Sequence, residues 1–341
     1  MWYDVNKTLT HNCLFNFLYG NRGSGKTYGV LKHCVNRYVK KKQQFIYLRR
    51  TLSELENIDM IFNSLIKDNV FGDSEIKVKG NEFFINGEVM GYACALSVQS
   101  SFKSIPFNDV FTIIFEEFLI DENDQYKRYL KSEVTKFKEF YETVCRLRLD
   151  ENGELDPSLE PVVFFLGNAF STVNPYFLEY NLNMPYGSKI YKNNDCLLEL
   201  VQNEVFIEMK KKTRFGRMNS GSHYERYAVL NQSMNETKDF IRKRTGIYDY
   251  VMTVVYKGYS LGVWRSVSQG LVSISTDIDS NNPLTYSIST DDHNENTVLI
   301  KGAKRCNTFK LVIEHYKLGK IICDNNLVKT LTLDMLRQIL Y

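Results

Sequence analysis

The octapeptide GNRGSGKT, residues 20–27, has a glycine, four free positions, a second glycine, a lysine and a threonine in the spacing that binds phosphate groups. In this pattern backbone amides turn inward around the phosphate oxygens, the lysine ammonium reaches them, and the threonine hydroxyl binds Mg²⁺. The loop therefore predicts a nucleotide site. Its expected binding residues are Gly20, Asn21, Arg22, Gly23, Ser24, Gly25, Lys26 and Thr27.

Two adjacent carboxylates follow at the end of the β-prone run VFTIIFEEF, residues 110–118. A phosphate-loop enzyme uses two carboxylates for different work, one to hold the Mg²⁺ shell and one to polarise the attacking water. We assign Glu116 with Thr27 to the metal and Glu117 to the role of catalytic base. Glu116 stands where Asp is usual, and its extra methylene places the carboxylate roughly 1.5 Å further from the backbone than that of Asp would be. The alternative is a strand with a charged end.

A third polar residue, Asn168, ends the apolar run PVVFFLGNAF, residues 161–170. An amide at the end of a strand beside the acidic strand could contact the γ-phosphate, and a simple turn former remains the alternative. The preceding segment, residues 125–149, has helical periodicity and ends in Arg146 and Arg148.

The elements that position these residues are readable from the apolar pattern. Residues 13–19 predict a strand before the loop, residues 28–39 a helix after it, and residues 43–50 a second buried strand. Residues 53–66 predict an amphipathic helix opened by a Ser53–Glu56 capping box. Residues 75–97 alternate around Asn86 and Gly87, which indicates antiparallel hairpins. The alternation of strands and helices predicts an α/β class.

Composition leaves room for one large domain or two ordinary ones, with 341 residues of which 43% are apolar. The net charge of +3 neither demands nor excludes a nucleic-acid partner. Seven scattered cysteines indicate reduced core residues, and neither a signal peptide nor a membrane span is predicted. After about residue 200 a basic stretch, KKKTRFGR at residues 210–217, suggests a linker before a second domain. Phe215 within it suits stacking beside phosphate contacts, although a charge run is usually a solvated face.

Taken in order, these segments resemble the DNA-packaging ATPases of φ29-like tailed phages, relatives of the terminase large subunits. The segments that carry the resemblance are GNRGSGKTYG, QFIYLRR, VKGNEFFINGE, LSV, FTIIFEEF, TVCRLR, GNAFSTVNPYF, KKTRFGR, YKGYSLGVW, QGLVSI and STDDHNEN, and the resemblance covers residues 1 to 330.

The resemblance implies an α/β protein with an additional-strand RecA-like P-loop ATPase domain over residues 1–200 and a short linker domain over 201–232. A C-terminal RNase H-like domain, a vestigial nuclease, follows over 233–341. The implied activity is ATP hydrolysis with Mg²⁺, which drives double-stranded DNA into a preformed capsid. The implied partners are that DNA, the portal and capsid of a prohead, a structural packaging RNA, and further copies in a five-membered ring. The implied location is the host cell cytoplasm, docked on the prohead, without a membrane.

The resemblance also assigns roles to single residues. Lys26 and Thr27 match the phosphate and Mg²⁺ positions, and Glu117 matches the catalytic glutamate. Arg146 matches an arginine finger that enters a neighbour's site, and Lys103 matches a second cation near the nucleotide. The expected catalytic residues are thus Glu117, Arg146 and Lys26.

The second domain departs from the terminases, which cut DNA with a metal-binding Asp on the first strand of this domain. Tyr256 and Lys257 stand at that place, and only a local cluster of Asp291, Asp292 and Glu295 follows. Two-metal hydrolysis needs clustered carboxylates, so we expect a nuclease fold without nuclease chemistry. An active endonuclease and a non-catalytic, nucleotide-gated scaffold that binds capsid or portal remain as alternatives.

Overall fold

The computed structural model describes residues 3–120, 129–168, 174–182, 184, 188–222, 240–300 and 306–340. The chain divides into two compact units, Met1–Met234 and Asn235–Tyr341, whose boundary falls outside the described residues. Each unit is described by itself.

The first unit contains a large sheet flanked by helices. Its strands are β1 (Phe15–Gly20), β2 (Gln44–Arg49), β3 (Ile76–Lys79), β4 (Glu82–Ile85), β5 (Glu88–Ala95), β6 (Val110–Glu116), β7 (Val162–Asn168), β8 (Ile190–Asn193) and β9 (Cys196–Val201). Its helices are α1 (Val5–Leu9), α2 (Lys26–Lys41), α3 (Asn63–Lys67), α4 (Glu133–Cys145), α5 (Pro175–Glu179), α6 (Glu204–Lys212) and α7 (Arg214–Met218). Short 3₁₀ segments cover Leu52–Leu55, Ile58–Met60, Leu96–Phe102 and Pro157–Leu159.

The order of the strands is β3-β4-β5-β2-β6-β7-β1-β9-β8. The six central strands, from β5 to β9, pair in parallel, so their carboxyl ends meet at one edge. Strand β7 lies between β1, which precedes the phosphate loop, and β6, which ends in the glutamates. This inserted strand is the additional strand that defines the expected RecA-like class.

Two hydrophobic clusters cover the two faces of this sheet, because alternate residues of a strand point to opposite faces. On β1, Phe17 and Tyr19 pack into one cluster while Leu18 packs into the other. The first cluster is strongly aromatic, with the Phe17 and Phe165 rings stacked at 4.1 Å between centroids. Both faces are buried, which explains the nearly continuous apolar runs in the sequence.

The helix expected over residues 53–66 is wrong as a single element. Two 3₁₀ turns and the five-residue helix α3 replace it, and the capping box pairs Thr51 with Glu54 instead of Ser53 with Glu56. The Glu54 carboxylate accepts from the amides of Arg50 at 2.9 Å and Thr51 at 3.3 Å, which ties the turn to the end of β2. Helix α4 begins at Glu133; residues 125–128 of the longer predicted helix lie outside the described residues, and residues 129–132 are not helical.

The second unit contains β10 (Asp249–Tyr256), β11 (Tyr259–Ser266), β12 (Leu271–Ser275), β13 (Thr285–Ser287), β14 (Val298–Leu299), β15 (Ile321–Cys323), α8 (Asn307–Lys317) and α9 (Asn326–Leu340). Strands β10, β11 and β12 form an antiparallel meander, and β13 and β14 add in parallel beside β10. The sheet order, β14-β13-β10-β11-β12-β15, is RNase H-like, as expected.

Two simpler expectations concern the membrane and the cysteines. Among the described helices, no segment combines the length and apolar character that crossing a bilayer requires. All seven cysteines are free thiols, and five of them are buried.

Candidate nucleotide site

The phosphate loop connects the end of β1 to the start of α2, and two of its glycines are required by geometry. Gly23 and Gly25 have φ values of 80° and 85°, a left-handed conformation that side chains rarely adopt. A Cβ atom on Gly23 would also lie 2.6 Å from the ring of Phe206 on α6. The loop can therefore turn its amides inward only with glycine at these positions.

Lys26, the first residue of α2, is buried and folds back over the loop. Its ammonium group donates to the carbonyls of Gly20 at 3.3 Å and Asn21 at 3.0 Å, and to the Ser24 hydroxyl at 3.2 Å. Burial lowers the pKa of Lys26 to about 8, and the negative charge of Glu116 opposes that shift. The charge is thus held by weak neutral acceptors, which a phosphate oxygen can replace.

Thr27 and Glu116 form the expected metal pair. The Thr27 hydroxyl donates to one Glu116 carboxylate oxygen at 2.9 Å. The second oxygen, Oε2, is buried and accepts no hydrogen bond from the described residues. Burial raises the pKa of Glu116 to about 7, although Thr27, Arg49 and Lys26 act against the shift. An orphaned carboxylate oxygen beside a hydroxyl is the hard oxygen set that Mg²⁺ prefers, so these residues fit the ion.

Glu117 directly follows β6 and has a φ of 54°. Its carboxylate is about one third exposed and accepts from the Arg49 guanidinium at 3.0 Å. Arg49 ends β2 and also lies 3.6 Å from the Glu54 carboxylate. The expected catalytic base therefore sits in a left-handed turn beside a cation on the neighbouring strand.

Arg50, the next residue, is buried beneath that turn. Its guanidinium donates to the carbonyl oxygens of Glu117 at 3.1 Å and Phe118 at 2.8 Å. It also forms a two-pronged contact with the Glu133 carboxylate, at 2.8 and 3.1 Å. From the sequence, no site role was assigned to Arg49 or Arg50. Their place at the end of a buried strand, beside the acidic strand, was the signal that could have separated them from surface charges.

A cavity of about 470 Å³ connects the phosphate loop with Glu116 and Glu117, and this volume is typical of small-molecule sites. It is lined by Gly23, Ser24, Gly25, Lys26, Thr27, Tyr28, Leu31, Ile61, Ser64, Leu65, Lys67, Asp68, Glu116, Glu117, Gly167 and Asn168. Residues of α3 and its flanks form the far wall, where the Tyr28 hydroxyl donates to Asp68 at 2.9 Å. Sequence reasoning missed this wall.

Five predicted site residues, Gly20, Asn21, Arg22, Lys103 and Arg146, are not among the described residues that line this cavity. Asn21 is buried in the loop and Arg22 is exposed. Lys103 and Arg146 are both exposed and adjacent, since the Arg146 guanidinium donates to the carbonyls of Lys103 and Ile105, each at 3.3 Å. Their nucleotide roles stay predictions.

The basic segment forms the helices α6 and α7. Phe206 of α6 packs on Gly23 of the phosphate loop, and the positive charge of Arg22 adds to burial in lowering the pKa of Lys210. Phe215 on α7 is 54% exposed, as a stacking role requires.

Two acidic residues of the second unit, Asp292 and Asp334, are hydrogen-bonded within the protein. The Asp292 carboxylate accepts from the amides of Lys257 and Gly258, both at 2.8 Å, and from Ser289 at 2.7 Å. Asp334 accepts from Tyr256 at 2.8 Å and from the ammonium of Lys257 at 2.5 Å. Within the described residues, no three His, Cys, Asp or Glu side chains come together as a metal site.

An additional-strand sheet with a phosphate loop, a hydrogen-bonded threonine–glutamate pair and a second glutamate defines an additional-strand P-loop protein. The chain belongs to the family described as Podovirus DNA encapsidation protein (Gp16), whose model matches residues 1–340. It is 34% identical over 339 residues to the DNA packaging protein of Bacillus phage phi29, covering 99% of this chain and 98% of the relative.

Solved structures agree with this membership. The bacteriophage Phi-29 viral genome packaging motor assembly contains a chain that matches with a TM-score of 0.77 and 34% identity, covering 99% of both chains. The N-terminal domain of the DNA packaging ATPase from bacteriophage phi29 matches with a TM-score of 0.50 and 32% identity, covering 58% of this chain and 95% of that one.

Proposed function

We propose that the chain is an ATP hydrolase that drives double-stranded DNA into a preformed viral capsid, working as a homo-oligomeric ring with an arginine supplied across the subunit interface. The observation that carries this proposal is the 470 Å³ cavity, in which Lys26, Thr27, Glu116, Glu117 and Asn168 meet in a chain of a DNA encapsidation family.

Each residue of the cavity has a separate task. The loop amides and Lys26 bind the phosphates, and Thr27 with Glu116 would hold Mg²⁺, which would neutralise negative charge on the nucleotide phosphates. Glu117 accepts a proton from the attacking water, and Asn168 contacts the γ-phosphate. The Arg49 guanidinium occupies one carboxylate oxygen of Glu117, at 3.0 Å, so that oxygen can accept the proton of the water only after this contact loosens.

Arg146 supplies the second catalytic charge, in the site of a neighbour. This assignment is supported by its exposure and by its position outside the described lining of its own cavity. The hydrogen bonds that its guanidinium makes to described residues go to two carbonyls, each at 3.3 Å, which a phosphate can replace. An arginine supplied in trans stabilises the transition-state charge by about 10³ to 10⁵ in rate. Lys103, which lies beside Arg146, belongs to the same surface.

The partners and domain limits belong to the proposal as well. The phi29 relatives are a DNA packaging protein and a chain of a viral genome packaging motor assembly. By likeness we propose double-stranded DNA, the portal and capsid of a prohead, a packaging RNA and a pentameric ring as partners, in the host cell cytoplasm. We also propose the division into an ATPase domain (1–200), a linker domain (201–232) and a C-terminal domain (233–341).

A mixing experiment tests the trans arginine. The variants Glu117→Gln and Arg146→Ala are prepared separately, and each should hydrolyse ATP poorly with DNA present, with proheads added if assembly needs them. When the two are mixed, some interfaces join an intact Glu117 to an intact Arg146, so hydrolysis should recover. Wild type under the same conditions is the control. A mixture that stays inactive beside an active wild type would place Arg146 within its own subunit or in a structural role.

A further inference from the structure

The Arg50–Glu133 ion pair is the most completely bonded buried charge among the described residues near the site. Arg50 is 2% exposed and Glu133 is 3% exposed. Besides the two-pronged contact with Arg50, the Glu133 carboxylate accepts from the Tyr176 hydroxyl at 3.0 Å and from the Leu130 amide at 2.7 Å. Neither the phosphate-binding role nor the proton-accepting role uses this pair.

One end of the pair holds the turn that carries Glu117. Arg50 binds two successive carbonyls there, those of Glu117 and Phe118. Because Glu117 has a left-handed backbone, which costs free energy for a non-glycine residue, the surrounding contacts must hold it in place. The direction in which the Glu117 side chain leaves the turn therefore depends on where Arg50 sits.

The other end holds helix α4. Glu133 is its first residue, and Arg146 directly follows its last residue, so the two lie about 20 Å apart along a rigid helix. The buried face of α4, with Val134, Phe137, Phe140 and Val144, packs into the aromatic cluster of the sheet. A shift of Glu133 must therefore move Arg146 with the helix.

We propose that the Arg50–Glu133 pair is a positioning unit for two catalytic groups at once: the Glu117 turn in its own site and, through α4, the Arg146 that acts in the next site. This inference rests on the proposed function. A buried ion pair contributes little net stability compared with apolar packing, so a role in geometry accounts for its presence better than a role in stability. The pair thus connects the base of one active site to the finger of the next.

The test measures the action of Arg146 in a neighbour's site separately from any effect on the nucleotide site of its own subunit. A donor subunit with Glu117→Gln has a dead site and contributes only its Arg146 to recipients that carry Arg146→Ala. Adding Glu133→Gln to the donor should lower the recovered ATP hydrolysis about tenfold, because a displacement near 1 Å at a reacting centre can cost about 10²-fold. The donor cannot lose activity in its own site, so a fall reports on the finger alone.

Two controls keep the outcomes separate. A donor with Glu117→Gln and Val35→Ala, a buried change on α2, shows what general destabilisation does. Both donors are compared by thermal melting and by their incorporation into the rings. If Glu133→Gln does not fold, Tyr176→Phe replaces it; that change removes one hydrogen bond to Glu133, and the expected loss is about twofold.

The failures can be told apart. If the plain Glu117→Gln donor does not rescue Arg146→Ala, the proposed trans arginine is wrong. If that rescue works and the Glu133→Gln donor rescues equally well, the positioning role for Arg146 is overturned. For the other end of the pair, Arg50→Lys in an otherwise wild-type chain should lower kcat about tenfold and leave the KM for ATP within about twofold, because it disturbs the positioning of Glu117 and Arg146 and leaves the phosphate loop in place. An equal rise in KM would contradict it.

Discussion

In each unit acidic side chains lie near the end of a strand, but the hydrogen-bonding capacity of these carboxylates is satisfied to different degrees in the two units. In the first unit Glu116 has a buried oxygen without a partner among the described residues, and burial raises its pKa to about 7. In the second unit Asp292 accepts three hydrogen bonds from the protein and Asp334 accepts two. The first set is therefore open to a ligand, and the second set is already occupied by its own chain.

This difference distinguishes carboxylates that are available for chemistry from carboxylates that hold the structure together. A buried polar atom without a partner carries a free-energy cost that folding alone does not repay, and a bound ion or substrate can remove it. Asp292 and Asp334 carry no such cost, since each accepts hydrogen bonds from its own chain. A family resemblance to nucleases cannot make this distinction, but hydrogen-bond partners can.

The largest expected effect is on hydrolysis and compares one carboxylate from each unit. Glu117→Gln keeps the shape of the side chain and removes its basicity, so kcat for ATP should fall about 10² to 10⁴-fold with little change in nucleotide binding. Asp292→Asn, the matched change in the second unit, should leave the ATPase rate of the free chain within about twofold. Equal slowing of ATP hydrolysis by the two substitutions would contradict this difference between the units.

A second effect concerns the stability of the chain at different pH values without nucleotide or metal. The folded-state pKa of Glu116 is raised to about 7 from 4.5, so the folded state binds more protons than the unfolded state between these values. Stability should therefore fall as pH rises from about 4.5 to 7, by up to about 3 kcal/mol from this group. We expect the stability difference between wild type and Glu116→Gln, from denaturant unfolding in EDTA at pH 5 and pH 7.5, to shift against wild type at the higher pH. A difference that is constant with pH would mean that Glu116 titrates normally.

The smallest effect sharpens the assignment of the second unit. Asp334→Asn weakens the bond from the Tyr256 hydroxyl, which contributes about 1 kcal/mol. It also removes the pairing with Lys257, which is partly exposed and contributes less than about 1 kcal/mol. Denaturant unfolding of the full chain should show a loss of about 1 to 2 kcal/mol, while ATP hydrolysis stays unchanged. An increase in stability would identify Asp334 as a strained residue kept for chemistry.

The features that could be predicted from the sequence are those set by residues close together along the chain. The phosphate loop, the glutamates at the end of β6 and Asn168 at the end of β7 were found because a strand end and a short polar motif are local patterns. The topology then places them together, since parallel strands share one carboxyl edge.

Contacts between residues far apart along the chain could not be predicted from local sequence patterns. The bonds from Arg50 to Glu117 and Glu133 span 67 and 83 positions, and no local pattern marks them. The helix expected over residues 53–66 failed for a related reason. Glu54 bonds the amides at the end of β2, so a tertiary constraint overrides the helical period there.

Strand β7 has an electrical consequence as well as a topological one. Two strand spacings, about 10 Å, separate the strand of the phosphate loop from the strand of the glutamates. Were the two strands adjacent, the lysine of the loop and the glutamates could collapse into ion pairs and cancel each other. With the spacer between them, Lys26 bonds to the oxygens of its own loop, and it is Thr27 that reaches Glu116. The additional strand thus keeps the ammonium of Lys26 apart from the carboxylates of Glu116 and Glu117. The positive and the negative charges therefore stay available to a phosphate that binds between them.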